Sequence, residues 1–147
     1  MRVLLDTNIL VRLRDADSPL HSLCVEAIER LINQMAQICL CLQVLIEFWS
    51  VSTRPREANG MGLSPEEAYV ECQRFRSAFS LLEEPPEIAD RWLSLAHLHN
   101  IRGKQVHDAR IVAFAQAHQI DAILTLNPDD FARYDELTIL TPDEVLR

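Results

Sequence analysis

Four short apolar runs govern what this chain can fold into: Val3-Leu4-Leu5, Ile38–Leu42, Ala122–Leu126 and Thr138–Leu140. Each has the length and apolar character of a buried strand. Between them lie longer stretches whose apolar residues recur at three- and four-residue steps. Leu20, Leu23, Cys24, Ala27, Ile28, Leu31, Ile32 and Met35 form one such stripe, the pattern of an amphipathic helix. Ser18-Pro19 reads as an N-cap followed by a first-turn proline. Ser64-Pro65-Glu66-Glu67 reads as a capping box opening a helix that runs to about Leu82. Strands alternating with helices predict an α/β fold with a mainly parallel central sheet covered on both faces.

The other segments fit the same frame. Val44–Trp49 reads as a helix, and Arg54–Gly62 as a polar loop rich in Pro, Asn and Gly. Ile88, Ala89, Trp92, Leu95, Ala96 and Leu98 mark a further helix. His107-Asp108-Ala109 opens another, and Asn127–Asp130 is a turn. No repeat or low-complexity tract divides the chain, so residues 1–147 are expected to form a single domain.

Charge narrows the function. Fourteen basic residues against 22 acidic ones leave a formal charge of −8, which disfavours a broad basic surface for nucleic acid and any attraction to anionic membranes. It leaves room for a local acidic cluster that a cation would neutralise. The longest apolar run, Ile38 to Ile46, is broken by Gln43 and is too short to span a bilayer. Met1-Arg2 leads straight into a strand with no leader pattern. Cys24, Cys39, Cys41 and Cys72 show neither C-x-x-C pairing nor zinc-ligand spacing, and Cys39 and Cys41 read as buried strand thiols. A cytoplasmic, reduced protein is expected, with no membrane association.

The acids at element junctions carry the chemistry. Asp6 stands directly behind the first strand, where an ionised carboxylate is costly unless paired, hydrogen-bonded or bound to metal. It is either a helix N-cap or a metal ligand at the carboxyl end of a parallel strand. Glu47 interrupts the apolar segment LIEFW, Asp108 lies where a loop meets a helix, and Asp130 follows the strand AILTL. Each has a plain alternative. Asp108 is a possible N-cap, Asp130 a turn residue, and Glu47 a partner of water or of an arginine such as Arg54. Should they converge, their mutual repulsion would force protons onto some of them. A Mg²⁺ or Mn²⁺ ion relieves that repulsion, prefers oxygen ligands and activates water for phosphoryl chemistry. Carbohydrate hydrolysis would need two carboxylates, not four.

LLDTNIL at the start, VLIEFWSVSTRP in the middle and VHDARIVAFAQAHQIDAILTLNPDDF near the end resemble, in order, the motifs of the PIN-domain family. The likeness is strongest to the VapC-like toxins of toxin–antitoxin pairs and covers nearly the whole chain. It implies a three-layer α/β/α sandwich, a Mg²⁺- or Mn²⁺-dependent endoribonuclease activity that cleaves RNA with a metal-activated water, and a cognate antitoxin partner. It makes Asp6, Glu47 and Asp108 the core carboxylates and catalytic metal ligands. Asn8 matches the residue that steadies the first Asp. The fourth seat lies between Thr125 and Phe131. Asn127 occupies a place where many relatives carry Asp, so Asp130 is preferred, with Asp129 behind it; Asn8, Thr125 and Asn127 act as supports. Arg12, Arg54, Arg102, Lys104 and Arg110 are candidates for phosphate contact. Leu, Phe and Trp side chains on the middle helices, if exposed, predict a homodimer.

Other classes fit less well. The alternative within the resemblance is a catalytically weak PIN-like scaffold that binds RNA or a protein partner without cutting; retention of Asp6, Glu47 and Asp108 argues against it. A haloacid-dehalogenase-type phosphatase needs D-x-D, but Asn8 stands two after Asp6. A flavodoxin-like nucleotide binder needs a glycine-rich first loop, which DTN lacks.

Overall fold

In the computed structural model, which describes residues 1–147, five strands and seven helices alternate. They are β1 (Arg2–Leu5), α1 (Thr7–Arg14), α2 (His21–Asn33), β2 (Gln37–Leu40), α3 (Leu42–Thr53) and α4 (Pro65–Ala78). Then follow β3 (Ser80–Leu81), α5 (Ile88–Leu98), α6 (Gln105–Ala117), β4 (Ala122–Leu124), β5 (Thr138–Leu140) and α7 (Pro142–Leu146). All strand pairs are parallel, in the order β3-β2-β1-β4-β5. Val3 pairs with Ile38 on one side and Ala122 on the other, so β1 is the central strand.

Connectivity sets the layers. From β1 to β2 to β3 the chain steps one way, and from β3 to β4 it crosses back. Crossovers between parallel strands are right-handed, so α1 to α4 cover one face and α5 with α6 the other. The packing agrees: α1 meets α2 and α3, α3 meets α4, and α5 meets α6. The expected three-layer α/β/α sandwich therefore forms. Its core lies on both faces of the sheet, with Val3, Leu4, Leu5, Leu40, Ile123 and Leu124 fully buried.

Several boundaries differ from those read in the sequence. The capping box is real: the Ser64 hydroxyl accepts from the Glu67 amide at 3.1 Å and the Glu67 carboxylate from the Ser64 amide at 3.0 Å. Its helix stops at Ala78, however, because the chain turns extended at Phe79 to lay Ser80-Leu81 beside β2. A two-residue edge strand leaves no periodicity to read. The helix expected at Ser18-Pro19 begins at His21, with the Ser18 hydroxyl instead accepting from the Leu20 amide at 3.1 Å. Cys41 is buried but caps α3 rather than extending β2. Phe48 is fully buried, edge-on to Phe75 at a centroid distance of 5.0 Å. Leu42, Ile46 and Trp49 are the apolar residues that α3 exposes.

The loop after α3 is folded on itself. The Gly60 amide donates to the Pro55 carbonyl at 2.9 Å and the Gly62 amide to the Arg54 carbonyl at 2.8 Å. A β-carbon on Gly60 would lie 2.0 Å from the Arg54 carbonyl oxygen. Backbone on both sides of that contact cannot step aside as a side chain can. Gly60→Ala is therefore expected to cost about 1–3 kcal/mol. Thermal unfolding followed by circular dichroism checks it, with a lowering of roughly 2–4 °C per kcal/mol.

Candidate metal centre

The strand order reverses direction of travel between β1 and β4, and open α/β sheets place their ligand crevice beyond the strand ends at such a point. Asp6 follows β1 and Thr125 follows β4, so these two residues meet there. The Asp6 backbone, at φ −78° and ψ 159°, turns from strand to helix while its side chain accepts from the Thr7 amide at 2.8 Å. The capping alternative is thus realised, yet it does not account for all of the carboxylate. The Thr125 hydroxyl donates to Asp6 Oδ2 at 2.8 Å, and Asn8 Nδ2 approaches the same oxygen at 3.3 Å.

Thr125 is fully buried, and its hydroxyl is saturated. It donates to Asp6 and accepts from Asn8 Nδ2 at 3.2 Å and the Asn127 amide at 3.0 Å. Asn8 closes the lattice by accepting from the Leu126 amide at 3.1 Å. Asn127 contributes through its backbone alone: its amide donates to Thr125 and its carbonyl accepts from the Asp130 amide at 3.2 Å. A carboxylate has about four acceptor directions; three protein donors reach Asp6. One direction is left over on a side chain only 7% exposed.

The other acids come from three separate elements. Glu47 lies half-buried on α3, Asp108 half-buried in the first turn of α6, and Asp130 exposed in the short turn Pro128–Phe131. Asp108 is not the N-cap of α6; Lys104 holds that position and Asp108 lies inside the helix. Glu47 is not paired with Arg54, which is exposed; it accepts from Gln43 Nε2 at 2.9 Å. The salt bridges lie elsewhere, on Glu71, Glu84 and Glu87. None of the four acids is neutralised by an ion pair.

Their mutual influence appears in their proton affinities. Burial pushes the Asp6 carboxyl above its ordinary range, the Thr125 and Thr7 hydrogen bonds pull it part of the way back, and Glu47 and Asp130 push it up again. Asp108 is pushed up to about 7, by burial first and then by Asp6, Asp130 and Glu47, with Arg133 opposing. These couplings bring all four acids into one field, and Asp129 is absent from it. As placed, no three of the His, Cys, Asp and Glu side chains are grouped closely enough to hold an ion; what links the acids is their electrostatic influence on one another. All the donors are hard oxygens. That set suits Mg²⁺ or Mn²⁺, with Mg²⁺ usually keeping several waters, over zinc, which favours nitrogen and sulfur.

Two residues at this site escape a reading of the sequence. Arg133 is the cation that acts on Asp108, and it sits in the otherwise unremarkable stretch after Phe131. Gln43 appears in the sequence only as a polar break in an apolar run. Of the proposed phosphate contacts, Arg110 is already engaged, by Glu84 at 3.1 Å and Gln43 at 3.1 Å, and Arg12 reaches Ser18. Arg54, Arg102 and Lys104 are exposed.

The PIN domain family model matches residues 3–137, and the chain belongs to that family. No curated protein matches it in sequence. Solved structures share the fold. The structure of VapBC2 from Rickettsia felis bound to a DNA fragment from its promoter is 19% identical, with a TM-score of 0.72 over 96% of this chain and 98% of that one. A toxin–antitoxin complex from Klebsiella pneumoniae is 25% identical, with a TM-score of 0.63 over 95% and 97%. VapC20 from Mycobacterium tuberculosis, a sarcin–ricin-loop-cleaving toxin, is 16% identical, with a TM-score of 0.65 over 90% and 95%.

The raised proton affinity of Asp108 has a stability consequence with a definite sign. Its folded value, about 7, exceeds the unfolded value of about 4. Its stabilising contribution is therefore complete below about pH 4 and lost as pH rises through about 7. In metal-free buffer, Asp108→Asn is expected to flatten the fall in melting temperature between pH 5 and pH 8, leaving the variant more stable than the parent at pH 8. Differential scanning calorimetry at the two pH values reads this directly.

Proposed function

We propose that the chain is a Mg²⁺- or Mn²⁺-dependent endoribonuclease, the toxin of a toxin–antitoxin pair, acting in the cytoplasm. What supports the reading is that Asp6, at the β1/β4 crevice, and Asp108 both have raised proton affinities, to which Glu47 and Asp130 contribute. Membership of the PIN family supports a nuclease. Likeness in fold to VapBC and VapC structures supports an antitoxin partner.

Asp6, Glu47 and Asp108 would hold the ion, with Asp130 completing or orienting its surroundings. When bound, the ion supplies a water of lowered pKa and positive charge against the phosphodiester. The protein's own groups do the remainder. Hydrogen bonds from Thr125, Thr7 and Asn8 hold the Asp6 carboxylate in place before an ion arrives, which would lower the reorganisation the reaction needs. Asp130, which is exposed, would orient that water by accepting a hydrogen bond from it. Arg133, exposed and without a salt bridge, offers a guanidinium suited to a phosphate oxygen.

A partner has somewhere to sit. Leu42, Ile46 and Trp49 on α3 line an apolar groove of about 450 Å³ together with Cys72 of α4. Exposed apolar residues grouped in this way mark interaction surfaces, and homodimer formation is proposed for this face.

Asp6→Ala and Asp108→Ala are each expected to abolish cleavage of RNA in Mn²⁺ buffer while the circular dichroism spectrum stays that of the parent. A purified parent chain that leaves RNA intact in both Mg²⁺ and Mn²⁺ would overturn the nuclease reading. Metal alone is expected to raise the melting temperature. At a hundredfold excess over Kd the gain is about 2.7 kcal/mol, or roughly 5–10 °C, and it is lost in Asp108→Ala.

A further inference from the structure

Gln43 is only 7% exposed, and a buried primary amide must be hydrogen-bonded to be tolerated. Its bonds are specific. Nε2 donates to Glu47 Oε1 at 2.9 Å and to the His107 carbonyl at 2.8 Å, and Oε1 accepts from Arg110 Nη1 at 3.1 Å. The orientation of the amide is forced, since a guanidinium only donates and a carbonyl only accepts. Both amide protons are therefore committed, one of them to a proposed metal ligand.

The placement matters as much as the bonds. Gln43 and Glu47 are four residues apart on α3, stacked on one face of the helix. His107 immediately precedes Asp108 in the first turn of α6. One side chain thus ties the helix carrying Glu47 to the helix turn carrying Asp108, across a sequence separation of 64 residues. Beyond it stands Arg110, held on its far side by Glu84 at 3.1 Å. Gln43 occupies the space between this guanidinium and Glu47. Without it, Arg110 and Glu47 would be natural partners, and a bidentate arginine–carboxylate pair is a strong one. Such a pair would put a fixed protein cation where a divalent ion is to bind.

We propose that Gln43 is the positioning residue of the carboxylate site: it fixes Glu47 relative to the start of α6, and it separates Arg110 from Glu47 so that the counter-ion of Glu47 is a divalent metal. This rests on the metal-site reading above. Gln43 touches neither substrate nor metal in this scheme and acts through Glu47.

The test is Mn²⁺ binding to the purified chain without RNA, by calorimetry and by loss of the free-ion electron paramagnetic resonance signal. Glu47→Gln is the ligand-loss control. Gln43→Met, close to glutamine in volume, is expected to weaken Mn²⁺ binding by about 10–100-fold, the usual effect of losing an outer partner of a ligand. Removing the cation as well, in Gln43→Met/Arg110→Met, is expected to recover part of that loss. A purely structural defect would instead deepen with the second substitution, and that result overturns the separating role. Gln43→Asn, which keeps the amide but is too short to reach both partners, gives the same readout should the methionine variant not fold. If Gln43 variants bind Mn²⁺ as the parent does while Glu47→Gln fails, the inference is wrong and the metal site stands. If the parent itself ignores millimolar Mn²⁺, the metal-site reading fails, and this inference with it.

Discussion

The hydrogen bond from the Thr125 hydroxyl to Asp6 Oδ2 is the contact on which the rest depends. It joins the ends of two neighbouring parallel strands whose sequence positions differ by 119. It also makes a buried carboxylate tolerable. An unpaired charge of this kind would cost several kcal/mol. Here backbone and side-chain donors offset part of that cost, yet the proton affinity of Asp6 stays raised. The fold can hold this group, but it does not fully satisfy it. A site that is held in place and still short of positive charge is consistent with the cation proposed above.

The same logic grades the other acids. Asp6 is tightly held, Glu47 has one amide partner, and Asp108 has no ion pair and a proton affinity pushed up to about 7. They come from different layers, β1 with α1, then α3, then α6, so the space between them depends on how the two helical layers sit on the sheet. Contacts that bridge the layers at this point, above all that of Gln43 to the His107 carbonyl, set the dimensions of the site more than local helix geometry does.

Much of the fold was legible because it is written in short-range patterns. The capping box at Ser64 and the apolar runs of β1, β4 and β5 needed no distant information. The missed pieces were those fixed by tertiary contact. β3 is two residues long and exists because β2 offers it a ladder. The start of α2 shifted because Ser18 caps a turn and not the helix. At the site, the residue types and junctions pointed to the acids, whereas Asp6 proved to be a cap as well as a candidate ligand. Gln43 and Arg133 went unread because nothing local distinguishes a glutamine that spans two helices from one that merely breaks an apolar run. Arg110 looked available for phosphate until Glu84, 26 residues away, was seen to hold it.

The two margins of the sheet are β3 and β5, of two and three residues. A free strand edge normally invites another chain to extend the ladder, and each added residue would bring main-chain bonds. Here the margins run out almost at once. Any polypeptide that binds this molecule gains little by lying along the sheet, and its grip has to come from side chains meeting the helical flanks.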